Sequence, residues 1–407
     1  MYKINHKRQN LTNYYYLCSE ICMDKRTILC EFKSIFESGS KSLERWGQDV
    51  YNSCAPVDVL DFFCCAGGMS LGFAVLKKCF KVIGGIDINP VSLAAYHKNY
   101  HVPTLQADIA TLSEDTKEIE STFGLSENHR DPLVIIGCAP CQGFSAHRKR
   151  HHDKPEDSRN TLIGEFAAIA VKFHPDYVVM ENVPEILTGK YKHHYEEAKA
   201  VFESNGYRIV QRIYNAAGFG VPQARTRAII VATKSNVFEL PDELLSEKNY
   251  KTVRDAIGNL PPVVPGQADP NDALHRCSAH KQSTIDVIAA VPHDGGSRPE
   301  GVGPQCLDRV KGFYDVYGRL SWDKPSITIT QYARNPASGR FSHPEQNRGL
   351  TIREAARLQS FPDGYQWHGS LGENFKQIGE AVPPLLSLAI ATQIAVTLKQ
   401  EKYGESI

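Results

Sequence analysis

Residues 57–70 read VDVLDFFCCAGGMS. Val57 to Phe63 is an apolar run of strand length with Asp58 and Asp61 inserted, and it empties through a Gly-rich turn into a helical stretch, Ser70 to Leu76. Outward from here the same alternation recurs. Lys81–Ile86 predicts a second strand ending at Asp87, Leu93–Tyr100 a helix, and Leu105–Ala107 a short strand ending at Asp108. Leu133–Ile136 predicts a fourth strand, Thr161–Phe173 a helix, and Tyr177–Met180 a fifth strand ending at Glu181. Strands separated by helices predict the α/β class, with a doubly wound, mostly parallel sheet. Ligands of such sheets gather outside the carboxyl ends of the strands, where these acids stand.

After Tyr207 the pattern changes. Arg208–Ala216 and Arg227–Thr233 predict two antiparallel strands with a short connection. Pro and Gly then become frequent and helix signals fade between about 260 and 318, which predicts a second, smaller lobe. Order returns at Thr351-Ile352-Arg353-Glu354, a capping-box pattern, and a last helix starts after Pro383-Pro384. The expected domains are an N-terminal extension (1–56), a catalytic and cofactor-binding domain (57–259), the lobe (260–318) and a return to the first domain (319–407). Cys18, Cys22 and Cys30 are not followed by a second close Cys pair, so no metal site is expected.

The chain has 407 residues and a formal net charge of zero, so any polyanion contact must come from local patches. No apolar run approaches the ~20 residues of a membrane span, and the N-terminus lacks the apolar core of a secretory signal. Eleven scattered cysteines suggest reduced thiols in a cytosol-like compartment.

Three local features carry chemistry. Gly67 and Gly68 permit close backbone approach to a ligand, Asp87 about 20 residues on can hold ribose hydroxyls, and Asp108 can accept from an adenine amino group. Together they point to a nucleoside-bearing cofactor; the plainer reading is that both acids cap helices, and Asn89-Pro90 does look like a helix start. In Gly137-Cys138-Ala139-Pro140-Cys141-Gln142-Gly143-Phe144-Ser145, Cys141 lies just past a strand, placed for display as a nucleophile. A redox or metal CxxC with Cys138 is the alternative, though Cys138 is expected to pack inward. In Gln223-Ala224-Arg225-Thr226-Arg227 the two arginines at i and i+2 share one face of a strand; they serve an anionic site or are simply solvated. The basic run His147–His152 is a solvated face or a lid closing on phosphates.

In order, DFFCCAGGMS (61–70), the Asp87 and Asp108 strand ends, GCAPCQGFS (137–145), ENVPEIL (181–187), QARTR (223–227), REAARLQSFPD (353–363) and QIGEAVPP (377–384) resemble the cytosine-5 DNA methyltransferases over roughly residues 57–400. The resemblance implies a Rossmann-like methyltransferase fold with a target-recognition lobe, and S-adenosylmethionine as cofactor. It implies methyl transfer to carbon 5 of a flipped cytosine in a specific duplex DNA sequence, through a covalent Cys141 intermediate. Glu181 would protonate ring nitrogen 3, Arg227 would hold the base, and Arg225 would hold a phosphate and the site geometry. Cofactor contacts would come from Phe63, Cys65, Gly67, Gly68, Asp87, Ile88, Asp108, Ile109, Pro140, Leu162 and Glu380. DNA contacts would come from Gln142, Ser145, Arg148, Lys149, Arg150, Arg276 and Arg298, with Arg334 and Arg340 as further phosphate contacts. The family usually has Gly at Cys65 and Asn at Glu380, so the two departures predict weakened cofactor binding: Cys65 by crowding the cofactor, Glu380 by repelling its carboxylate. Alternatives on the same scaffold are a tRNA cytosine-5 methyltransferase and a DNA-binding relative impaired in catalysis. The resemblance further implies a monomer with no membrane partner. A cognate restriction endonuclease is expected as genetic partner, in a bacterial cytoplasm, or in a nucleus if the source is eukaryotic.

Overall fold

The computed structural model describes residues 57–126, 131–140, 158–190, 192–309 and 315–403. The expected N-terminal extension and the basic run His147–His152 lie outside them.

Strands β1 (Val57–Phe62), β2 (Phe80–Asp87), β3 (Thr104–Gln106), β4 (Leu133–Gly137), β5 (Tyr177–Asn182), β6 (Arg208–Asn215) and β7 (Thr226–Thr233) form one seven-stranded sheet, order β3-β2-β1-β4-β5-β7-β6. β1 pairs in parallel with β2 and β4, β2 with β3, and β4 with β5; β7 runs antiparallel to both β5 and β6. The chain winds outward from β1 in one direction and from β4 in the other, so the switch point lies between these two strands. All five residues of β4 are buried, as a strand covered on both faces requires. Val134 and Ile136 face one apolar layer with Val179 and Val231; Leu133 and Ile135 face the other with Val178 and Ile230.

Helices cover both faces. The first layer receives α1 (Gly68–Ala74) and α2 (Pro90–Tyr100), and the second receives α3 (Ile109–Leu112), α4 (Lys117–Phe123), α5 (Leu162–Lys172) and, after the short α6 (Glu185–Thr188), α7 (Lys192–Ser204). Past α8 (Val253–Ile257) and α9 (Gln282–Ala289), helices α10 (Ile352–Leu358), α11 (Leu371–Glu380) and α12 (Pro384–Tyr403) return to the first layer. α12 crosses α1 closely. A Cβ on Gly72 would stand 2.3 Å from Leu388 N, so only glycine permits this approach. The segment Leu371–Leu398 is long and apolar enough by composition to cross a membrane, more so than the sequence reading allows, yet 89% of its apolar window is buried inside the fold. It is a core element.

The stretch 260–318 holds the small hairpin β8 (Ala268–Asp269) and β9 (Asp272–Arg276), the helix α9, and a separate apolar cluster of Val287, Ile288, Val291, Val316 and Tyr317. Helix signal does not fade throughout, since α9 lies within it. The fully buried Arg319 organises this region by donating to the carbonyls of Ile288, Val291, His343 and Gln346. Arg353 binds Asp272 at 2.6 Å and so ties the hairpin to α10. The expected capping box is present, with Thr351 and Glu354 bonded reciprocally. Arg348 grips Glu354 at 2.7 Å; burial would raise that carboxyl, but the guanidinium holds it down at about 2.

Candidate active site

Strand register builds the site. Phe62, Ile86, Gly137 and Met180 stand level across β2, β1, β4 and β5. One residue further along come Phe63, Asp87, Cys138 and Glu181, a single row at the carboxyl edge of the sheet. Glu181 is not past the end of its strand, as the sequence suggests, but inside β5, opposite Ile229 of β7. That antiparallel neighbour is what delivers the arginines.

Glu181 is buried, with 3% of its side chain exposed, and Arg227 Nε lies 2.8 Å from its Oε1. Arg225 Nη2 approaches the same oxygen at 4.0 Å. Arg225 is itself fixed, donating to the carbonyls of Ile329 and Ala381 at 3.2 Å each. The i, i+2 spacing thus brings both guanidiniums to one carboxylate. Cys138 donates to Glu181 Oε2 at 2.9 Å, half-buried as a partner of the acid. Asn182, the next residue of β5, donates to Ala139 O at 3.2 Å and anchors the loop that runs to Cys141. Cys141, with Gln142, Ser145, Arg148, Lys149 and Arg150, lies outside the described residues.

At the other end of the row stands the Gly-rich loop. Asp87 accepts from the amides of Cys65 and Asn89, both at 2.8 Å, so its carboxylate shapes the loop. Burial raises the Asp87 carboxyl above its usual value against the pull of those amides and of Lys376. Gly67 has φ +94° and caps α1; a Cβ there would meet the Tyr100 ring at 2.3 Å. A Cβ on Gly68 would meet Val382 O at 2.4 Å. On the side where a Cβ would stand, both glycines are packed closely against protein. Cys65 has φ +47°, a conformation that costs a residue with a Cβ. Its thiol is directed at Gln377 O (3.7 Å) and Ser92 Oγ (3.9 Å), so it fills space between α2 and α11. Glu380 ends α11 nearby; burial pushes its carboxyl up to about 7, opposed by Lys376 and Arg159 and reinforced by Asp87.

Of the remaining expected cofactor residues, Ile88 is 63% exposed, an apolar side chain left in solvent at the end of β2. Phe63, Pro140 and Leu162 are half-buried, and Ile109 is buried in the second layer. Asp108 is exposed and caps α3 by accepting from Ala110 N at 3.0 Å, the plainer of its two readings. Asn89 caps α2. Exposed Ile88, half-buried Phe63 and the acids at the ends of neighbouring strands fit a purine nucleoside, with apolar surface for the ring and carboxylates for its polar edges. Among the described residues no group of His, Cys, Asp and Glu could hold a metal.

Of the lobe arginines, Arg276 is exposed. Arg298 is buried against Asp308 at 2.9 Å and donates to the carbonyls of Pro299 and Val302, so it builds the lobe instead of facing a ligand. Arg340 likewise binds Asp315 and the carbonyls of Gly295 and Gly296, while Arg334 is exposed. Residues that the sequence reading passed over are Asn182 and Gln223. The buried Gln223 accepts from Ile329 N and donates to Leu358 O. Both lie within the quoted motifs, which is the signal that points to them.

The family model described as C-5 cytosine-specific DNA methylase matches residues 57–396. The Type II methylase M.HgiDII of Herpetosiphon aurantiacus is 33% identical over 346 residues, covering 83% of this chain and 94% of that protein. The Type II methyltransferase M1.HphI of Haemophilus parahaemolyticus is 35% identical, covering 84% and 87%. A prophage-encoded candidate DNA modification methyltransferase from E. coli shares the fold, with TM-score 0.65 and 24% identity, over 84% of this chain and 99% of its own.

Proposed function

The chain belongs to the C-5 cytosine-specific DNA methylase family and is a DNA (cytosine-5)-methyltransferase, and from that premise we propose how its own residues carry the reaction. The substrate is a cytosine in a specific duplex sequence, turned out of the stack because its ring carbons are unreachable inside it, as is general for enzymes that methylate a base. Cys141, as thiolate, adds to carbon 6 across the 5,6 double bond and converts the ring to an enamine nucleophilic at carbon 5; once carbon 5 carries the methyl group, loss of its proton to water expels the Cys141 thiolate and restores the ring. The addition builds negative charge on the ring, and Glu181, in its protonated form, passes its proton to ring nitrogen 3 to relieve it. Arg227 orients Glu181 and binds the base, and Arg225 fixes the geometry between β7 and Ile329 O. Asn182 holds the loop that presents Cys141.

S-adenosylmethionine supplies an electrophilic methyl group when bound. Phe63 and Ile88 would flank its adenine, Asp87 would hold its ribose hydroxyls, Asp108 would accept from its adenine amino group, and Cys65 and Glu380 would border its amino-acid end. The lobe around α9 selects the sequence, with Arg276 reaching the DNA. The Type II names of the relatives support a cognate restriction endonuclease as genetic partner. The observation that carries this reading is the dry Glu181 carboxylate between two arginines, next to the loop running to Cys141.

Bisulfite sequencing of DNA from cells expressing the chain tests it. Protection at cytosines of one short sequence is the expected result; uniform conversion, or methyl transfer diverted to tRNA in a competition with duplex DNA, overturns it.

A further inference from the structure

The segment 326–335 follows the lobe and is clamped on residues 223–225, just ahead of β7. Ala224 N donates to Ser326 O at 2.8 Å, and Thr328 Oγ1 donates to Ala224 O at 3.1 Å. Ile329 is held at both polar groups, its N–H by Gln223 and its carbonyl by Arg225. Thr330 and Gln331 press on α11, where a Cβ on Gly379 would stand 2.1 Å from Gln331 N. Beyond this clamp the backbone turns back at once. Ala333 N donates to Thr330 O, Asn335 N and Ser338 Oγ donate to Tyr332 O, and Asn335 caps the short turn Pro336–Ser338.

On this tip Tyr332 is 62% exposed, an aromatic ring held in solvent on a turn whose hydrogen bonds use its backbone N–H and carbonyl. Arg334 beside it is also exposed. Neighbouring arginines are neutralised inside the fold: Arg298 by Asp308, Arg340 by Asp315, Arg348 by Glu354, Arg353 by Asp272, Arg357 by Asp363. Among the described residues Arg334 forms no ion pair. A fixed exposed ring with a free cation next to it, one short segment from Arg225, matches what a nucleic acid offers: a π-face and a phosphate.

We propose that Tyr332 stacks on a nucleobase adjoining the target cytosine, beside the phosphate contact already expected of Arg334, so that this tip positions the strand over Glu181 and Arg225. This rests on the catalytic reading given above. Tyr332 is a positioning residue: its ring holds the strand, and the clamp at Gln223, Arg225 and Gly379 transmits that placement to the reacting site.

The test uses the full-length wild type with Tyr332→Phe, Tyr332→Ala and Arg334→Gln, on a duplex carrying the site found by bisulfite sequencing. Affinity is followed by fluorescence anisotropy across a salt series, with KM and kcat for DNA measured in parallel. Because Tyr332 and Arg334 are exposed, all variants are expected to melt like the wild type. Tyr332→Ala should weaken duplex binding and raise KM by about 10-fold, Tyr332→Phe should stay near wild type, and the salt slope of both should be unchanged. Arg334→Gln should lower the salt slope by about 1. An active wild type with an unaltered Tyr332→Ala overturns the stacking role alone, as does a Phe variant as weak as the Ala variant. A wild type that neither binds nor methylates duplex DNA overturns the catalytic reading, and this proposal with it.

Discussion

Cys138 donates to Oε2 of Glu181 across 2.9 Å while Arg227 Nε stands 2.8 Å from Oε1, so the acid is gripped at both oxygens from two different strand ends. The first cysteine of the CxxC is therefore a partner of the carboxylate. Orientation of the acid comes from the sheet itself, because Cys138 and Glu181 each follow one residue after the paired Gly137 of β4 and Met180 of β5.

Glu181→Gln keeps the shape of the side chain but can neither give up a proton nor form the charged pair with Arg227. Loss of a positioned proton donor typically costs ~100- to 10,000-fold. The single-turnover methylation rate should fall within that range, with duplex affinity little altered. An unchanged rate would leave Glu181 a structural role only.

Cys141→Ser should abolish methyl transfer while cofactor binding and the melting temperature stay those of the wild type. A hydroxyl lacks the acidity and softness that addition to carbon 6 needs. Retention of even about a tenth of wild-type turnover would rule out the covalent route, given the size of the effects expected of an activated nucleophile.

Much of the sheet is legible in the sequence because its central strands are short apolar runs bounded by Gly, Pro and Asp, and because Asn89-Pro90 and Thr351–Glu354 are caps written locally. What escapes is decided by tertiary pairing. The antiparallel insertion of β7 between β5 and β6 leaves no local trace, yet it brings Arg225 and Arg227 to Glu181. The bond from Cys138 to Glu181 joins residues 43 apart. Helix α7 is diluted by His and Glu around Tyr195, Ala198 and Phe202, and so goes unread. Gly67 and Gly68 are recognisable as functional-loop glycines, but only the packing reveals that they accommodate Tyr100 and Val382.

Asp61 is fully buried, with Ser70 Oγ at 2.7 Å from its Oδ2 and the Tyr96 hydroxyl at 2.7 Å from Ser70 Oγ. Burial pushes its carboxyl from the ordinary 3.8 to about 8, with the Ser70 hydroxyl opposing and Asp87 adding to the rise. Between these values the folded chain holds a proton that the unfolded chain has released. The stabilisation is complete below about 4 and is lost as pH rises through about 8. It amounts to roughly 6 kcal/mol at most. Asp61→Asn should flatten the decline of unfolding free energy between pH 5 and 8, measured by urea denaturation. Parallel profiles for the two proteins would assign the pH dependence elsewhere.

The last expectation concerns the two departures from the family pattern. Since the Cys65 thiol points at Ser92 and Gln377, Cys65→Gly should change cofactor affinity little, while relieving a positive φ worth ~1–2 kcal/mol and opening a small void that offsets it. Glu380 behaves differently. Burial, opposed by Lys376 and Arg159 and reinforced by Asp87, pushes its carboxyl up to about 7. Below that pH it is neutral; above it, a negative charge borders the end of the site assigned to the carboxylate of S-adenosylmethionine. Wild-type affinity for the cofactor should therefore fall as pH rises from 6 to 8, by about 10-fold for a partly screened charge pair. Glu380→Asn removes the titrating group and offers an amide donor in its place, so its affinity should be equal at both ends of this range and match the wild type at pH 6. Calorimetric titration of S-adenosylmethionine into each protein at pH 6, 7 and 8 measures this directly. A wild-type affinity that is flat across the range would show that Glu380 faces away from the cofactor carboxylate. A rise with pH would mean that the carboxylate of Glu380 meets the cationic part of the cofactor instead.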